Sequence, residues 1–102
     1  MSKFGLRFEW DRNKDIVNQR KHGVAFTTAK TAFYDENRID VPDELHSIQE
    51  NRRITIGKAG KVLFVVYTER SYDAGGTIRL ISARRANEEE RRFYYEHPGF
   101  SY

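Results

Sequence analysis

Val62-Leu63-Phe64-Val65-Val66-Tyr67-Thr68 is a continuous run of apolar and β-branched residues. Such a run reads as a strand buried on both faces, in the middle of a sheet. Its flanks extend that sheet. Arg53-Ile54-Thr55-Ile56 is strand-like and ends at Gly57, and Lys58 to Lys61, with Gly60, reads as a turn. Tyr72 to Gly76 reads as a longer turn, and Thr77 to Arg84 alternates, carrying Ile78, Leu80 and Ile81. Short connections make these three strands an antiparallel meander. Simple alternation puts Arg79 and Arg85 on one face of the last strand and Arg84 on the other, with Ile78 and Leu80.

Towards the N-terminus, Phe4, Leu6, Phe8 and Trp10 alternate as in a strand. Asp11 then opens a polar helix as its N-cap, and Gly23 closes it in the left-handed position that glycine tolerates. A second helix is expected from Ala25 to Tyr34, with Phe26, Ala29, Ala32 and Phe33 on one face. Arg38 to Val41 is a short extended piece stopped by Pro42. At the other end, Asn87 with Glu90 forms a capping box for a final helix, which Pro98-Gly99 ends. The order is β-α-α-β-β-β-β-α. The fold class expected is α+β, an antiparallel sheet with helices packed on one face. The other face would stay open to display a basic surface.

At 102 residues the chain is expected to form a single domain, 1–102, with 98–102 as a short tail. Hydrophobic residues make up 38% and charged residues 32%, while 14% aromatic content argues against a disordered segment. The absence of cysteine removes disulfides and thiolate nucleophiles. Met1 to Trp10 holds no apolar core for a signal peptide, and no run approaches the roughly 20 apolar residues of a membrane span. A cytoplasmic location and no membrane contact are therefore expected. Net charge is +3, the pI is about 9.3, and twelve of the eighteen cations are arginine. Arginine's planar fork pairs with phosphate and stacks on bases, so RNA or another polyanion is the partner to test for.

Three constellations could carry chemistry. Lys14, Asn18 and Lys21 fall on one helix face, with His22 at its end; they read either as phosphate contacts or as a solvated surface. His46-Ser47-x-x-Glu50-x-Arg52-Arg53 leads into a strand, and a histidine suits proton transfer near neutrality. Arg70, Arg79, Arg84 and Arg85 gather on the last two strands and would repel one another without a phosphate or carboxylates between them. There is no Gly-rich phosphate loop, no His-x-x-x-His and no close carboxylate cluster, so no metal or cofactor is expected. RNA can be cut without metal because its own 2′-OH is the nucleophile; the reaction needs a proton acceptor, cations at the phosphate and help for the leaving oxygen.

Phe8-Glu9-Trp10-Asp11-x-x-Lys14 with Lys21-His22-Gly23-Val24-x-Phe26 resembles the opening of the BrnT toxin family. His46-Ser47 with Glu50-x-Arg52 and Ile56-Gly57 resembles its middle. Val65-Val66-Tyr67-Thr68-x-Arg70, Ile78-Arg79-x-Ile81-Ser82-Ala83-Arg84-x-Ala86 and the helix bearing Tyr95 resemble its end. The resemblance implies a RelE-like fold and a type II toxin that cleaves RNA without metal, blocks translation and is neutralised by a BrnA-type antitoxin. The site expected has Arg70 and Arg84 on the scissile phosphate and His46 or His22 moving protons. Arg52, Arg79, Lys14 and Lys21 would position RNA, and Tyr95 would stack a base or assist proton transfer. Two other readings stand beside it. Helices 11–22 and 25–34 around Gly23 resemble a helix-turn-helix, which would make the chain a non-catalytic nucleic-acid-binding regulator. An adaptor whose basic face receives an acidic partner is the third.

Overall fold

The computed structural model describes residues 6–45, 51–70 and 76–102. The elements run β1 (Phe8–Glu9), α1 (Arg12–His22), α2 (Phe26–Ala29) continuing as a 3-10 turn (Lys30–Tyr34), β2 (Ile39–Pro42), β3 (Arg52–Ala59), β4 (Lys61–Arg70), β5 (Thr77–Arg85) and α3 (Glu88–Glu96). The strands form one five-stranded sheet in the order β1-β5-β4-β3-β2, so β4 is central as its composition demands. The class is α+β. The sheet is mixed rather than purely antiparallel, because β1 enters parallel to β5, pairing Phe8 with Ile78 and Glu9 with Arg79. The β3–β4–β5 meander is antiparallel throughout.

The helices do not share one face. On the first face, Leu63, Val65, Tyr67, Ile78 and Leu80 pack under Val24, Phe26, Ala29 and Phe33. Phe26 is fully buried, worth about 2–3 kcal/mol for such a side chain. On the opposite face α3 brings Tyr94 onto Ile39, Ile56 and Val62. Tyr94 anchors α3 there: it is 4% exposed, and its hydroxyl donates to Asp35. Burial and that carboxylate push the Tyr94 phenol upward. The second face is thus covered by α3 at the end of β4 that holds Val62, and among the described residues no helix packs over the end that holds Thr68.

Three local readings change for physical reasons. Strand β3 runs through Gly57 to Ala59, and the turn narrows to Gly60, whose φ is +79°. Gly57 is there for closeness: a Cβ would lie 2.7 Å from the Ala32 carbonyl oxygen. The second helix is α-helical only for Phe26–Ala29 and then tightens, which seats Ala32 against β3. Asn18 is not a surface residue. It is 5% exposed, its Nδ2 donates to the Val24 and Ala83 carbonyls, and its Oδ1 accepts from the Ala83 N–H. The amide completes the β5 backbone where β1 has ended. As expected, Asp11 caps α1, Gly23 ends it at φ +71°, and Asn87 and Glu90 close the capping box of α3. Residues 99–102 lie along β2: Phe100 accepts from the Asp40 N–H, and the Tyr102 N–H donates back to Asp40.

Candidate active site

The half of the second face away from α3 is built by register. Residues opposite one another in a ladder point the same way. Arg52 faces Thr68, Thr68 faces Arg79, and Glu9 lies level with Arg79. These four make one row across four strands, about 14 Å long at the usual strand spacing of about 4.8 Å. Arg70, two residues beyond Thr68, joins it. The Arg79 guanidinium lies 3.1 Å from Glu9 Oε2, and Arg70 Nε lies 3.9 Å from the same oxygen. Two guanidiniums thus share the Glu9 carboxylate, and the third, Arg52, stands at the other end of the row. Thr68 is 4% exposed, and its Oγ1 has no hydrogen-bond partner among the described residues. Arg52 and Arg70 also line a pocket of about 600 Å³ at the end of the sheet, with Glu44, Asn51 and Glu69.

Strand β5 reaches this face twice, through a bulge. Ser82 faces Val66 but Leu80 faces Tyr67, so Ile81 is an extra residue and the alternation shifts by one. Arg79, Ser82 and Arg84 therefore share the second face, while Arg85 sits opposite Leu63 on the first. This reverses the arrangement expected from plain alternation. Arg84 is committed where it lies: it forms a two-pronged pair with Glu90, both contacts at 2.9 Å, and stacks 4.1 Å above the Phe64 ring. The Glu90 bond raises Arg84 above the usual guanidinium range. Burial pushes Glu90 up, but the Arg84 and Asn87 bonds outweigh it and hold it below its ordinary value.

The expected pairing of Arg70 with Arg84 on one phosphate does not form. Arg70 faces Thr77 and Arg84 faces Phe64, which puts about 20 Å of β4 between them at about 3.3 Å per residue. Lys14, Lys21 and His22 are exposed on α1 and, with Ser82 and Ile81, line a cleft of about 350 Å³. Ser82 joins that cleft to the arginine face. Tyr95 is 59% exposed at the hairpin end, its ring 5.7 Å from Lys58 Nζ, away from the row. His46 lies outside the described residues.

Sequence reasoning missed Glu9 and Asp40. Glu9 could have been read from Phe8-Glu9-Trp10, where the two aromatics point inward and leave the carboxylate outward. Asp40 carries no such signal. It is 8% exposed on the helix face and accepts from Thr55 at 2.6 Å, Arg53 at 2.7 Å, Arg38 and Tyr67. Burial raises its carboxyl, yet those four donors overcome it and keep the group ionised below its ordinary range. Burial and Asp40 together push the Tyr67 phenol up to about 12. The cluster holds β2, β3 and β4 in place and opens on the opposite side from the arginine row.

Residues 10–90 match the model of a family described as the ribonuclease toxin, BrnT, of a type II toxin-antitoxin system. A match over that much of the chain makes the protein a ribonuclease toxin, one half of a toxin–antitoxin pair. The chain belongs to the BrnT family. No curated protein matches it. No helix among the described residues is long and apolar enough to cross a membrane.

Proposed function

We propose that this toxin is a metal-independent, RelE-like endoribonuclease that arrests translation and is silenced by a BrnA-type antitoxin covering the arginine face. The observation that carries the reading is the row Arg52–Thr68–Arg79 with Arg70, three guanidiniums gathered on the half of the sheet face away from α3. Arg79, Arg70 and Arg52 hold the scissile phosphate and stabilise the charge it gains, the role a metal plays in other nucleases. The RNA 2′-OH attacks that phosphorus. A histidine, His46 or His22, supplies a proton to the departing 5′-oxygen. Lys14 and Lys21 carry the adjoining strand along α1, and Tyr95 meets a base farther out. Arg84 supports the site from a distance by tying α3 to β5 through Glu90.

A helix-turn-helix regulator is poorly served: α2 has four residues before it tightens, and Phe26 and Ala29 are buried in the core. A recognition helix needs an exposed length to lie in a groove. The test is cleavage of a labelled single-stranded RNA in excess EDTA. The expected products end in a 2′,3′-cyclic phosphate and a 5′-hydroxyl. Activity that vanishes in EDTA and returns with Mg²⁺ would overturn the reading.

A further inference from the structure

We infer that Glu9 is the proton acceptor of the cleavage reaction, the group that takes the 2′-hydroxyl proton as the phosphorus is attacked. The inference rests on the ribonuclease reading above and adds a catalytic residue to it.

The first support is position. Among the described residues Glu9 is the carboxylate that shares the row, 3.1 Å from Arg79 and 3.9 Å from Arg70, the two cations placed to bind the phosphate. A 2′-oxygen about to attack lies within about 3.5 Å of that phosphorus. Among the described residues, Arg79 on β5 and Arg70 on β4 face Glu9, with Thr68 and then Arg52 next along the row. Glu69 is adjacent to Arg70 in sequence but faces Ile78, on the helix side.

The second support is rigidity. Strand β1 has two residues, too few to hold itself. It is anchored by aromatics on either side of Glu9: Phe8 packs edge-on against Phe33 at 5.4 Å, and Trp10 against Phe26 at 5.9 Å. Ile78 also donates its N–H to the Arg7 carbonyl at 2.8 Å. The carboxylate is thereby fixed, yet its side chain keeps 29% exposure and can be reached by substrate.

The third support is charge balance. At rest Glu9 is the counter-ion of Arg79 and Arg70. As the 2′-O–P bond forms, the 2′-hydroxyl proton passes to the Glu9 carboxylate and the phosphoryl oxygens gain negative charge. Glu9 becomes neutral as the phosphorane becomes more anionic, so the guanidiniums exchange one counter-ion for another without moving. The P–O5′ bond then breaks, and the 5′-oxygen takes a proton from solvent water. Glu9 returns its proton to water. Transition-state charge is met by groups already in place, which is the efficient arrangement.

The test compares wild type, Glu9→Gln and Glu9→Ala on a short single-stranded RNA in excess EDTA, following kcat/KM from pH 4 to pH 8. A 2′-deoxy version of the same oligonucleotide measures binding without cleavage. Wild type should lose rate on the acid side as a carboxylate is protonated. Glu9→Gln should lower kcat/KM by about 10²–10⁴ and abolish that acid limb, since glutamine keeps the shape but cannot accept the proton. Binding of the 2′-deoxy oligonucleotide should stay equal or tighten, because a negative charge has been removed. A Glu9→Gln enzyme that keeps the acid limb, or whose rate loss is matched by lost binding, would make Glu9 a positioning residue only. A wild-type profile with no acid limb overturns the inference whether or not the variants fold. If wild type leaves RNA intact in EDTA, the ribonuclease mechanism above falls and this inference with it; if wild type cuts and Glu9→Gln cuts equally well, only this one falls.

Discussion

Asp40→Asn is the most informative change outside the arginine face. The substitution keeps the side chain's shape and removes its charge. In the folded protein Asp40 is the shared acceptor for Arg38, Arg53, Thr55 and Tyr67, and the carboxylate is 11% exposed. Arg38, Thr55 and Tyr67 share Oδ2 while Arg53 uses Oδ1, so an asparagine, which accepts at one oxygen only, leaves at least one donor facing an NH2 group, and two guanidiniums lose their counter-ion. Breaking one side of a buried pair costs about 3–5 kcal/mol. The guanidiniums keep 29% and 27% exposure, so solvent screens part of the loss and about 3 kcal/mol is the expected figure. A domain of this size has about 5–15 kcal/mol in all, so the melting temperature should fall by about 12–24 °C. The charge gives a second readout. The Asp40 carboxyl is depressed below 3.8 in the folded state. Its contribution is therefore complete above that unfolded value and disappears as pH falls through the lower folded one. Urea unfolding of wild type and Asp40→Asn should differ most at pH 5–7 and converge as pH drops below about 4. A loss under 1 kcal/mol at pH 7, or a gap that stays constant down to pH 3, would refute the assignment of the cluster as the clamp on β2, β3 and β4.

Two further outcomes follow from the sheet. Arg79→Ala should cut RNA cleavage by about 10²–10³ with little change in melting temperature, whereas Arg84→Ala should lower stability by about 1–2 kcal/mol through the lost Glu90 pair and Phe64 stacking; cleavage assays paired with thermal melts separate the two. Gly57→Ala should destabilise by about 1–3 kcal/mol because its methyl would meet the Ala32 carbonyl, and a melt within a degree of wild type would show that the 3-10 turn gives way freely.

Much of the fold was legible because its signals are local. Asp11, Gly23, Asn87 and Glu90 mark helix ends through backbone groups a few residues away. The apolar run Val62–Thr68 announces a central strand by composition alone. What escaped depends on partners distant in sequence. That Asn18 is buried follows from its bonds to Ala83, 65 residues away. That α3 takes the second face follows from the fit of Tyr94 onto Ile39 and Ile56, which helical periodicity cannot choose between faces. The candidate site was half legible. Residue type flagged Arg52, Arg70 and Arg79, but one extra residue at Ile81 decided that Arg84 shares their face, and the length of β4 decided that it stands apart from Arg70. Glu9 was overlooked because a single acid in a short strand looks like ordinary surface until its neighbours across the sheet are known.

The two flanks of the sheet carry a consequence for assembly. An unpaired strand edge is a template on which any extended chain can build. Here one flank is taken by two-residue β1 and, below it, by the Asn18 amide standing in for a strand. The other flank, β2, is occupied by residues 99–102 through backbone bonds to Asp40. Among the described residues no long edge is left to recruit a stranger. This restricts the antitoxin: to hold the sheet it must dock on a face, or first peel residues 99–102 away from β2.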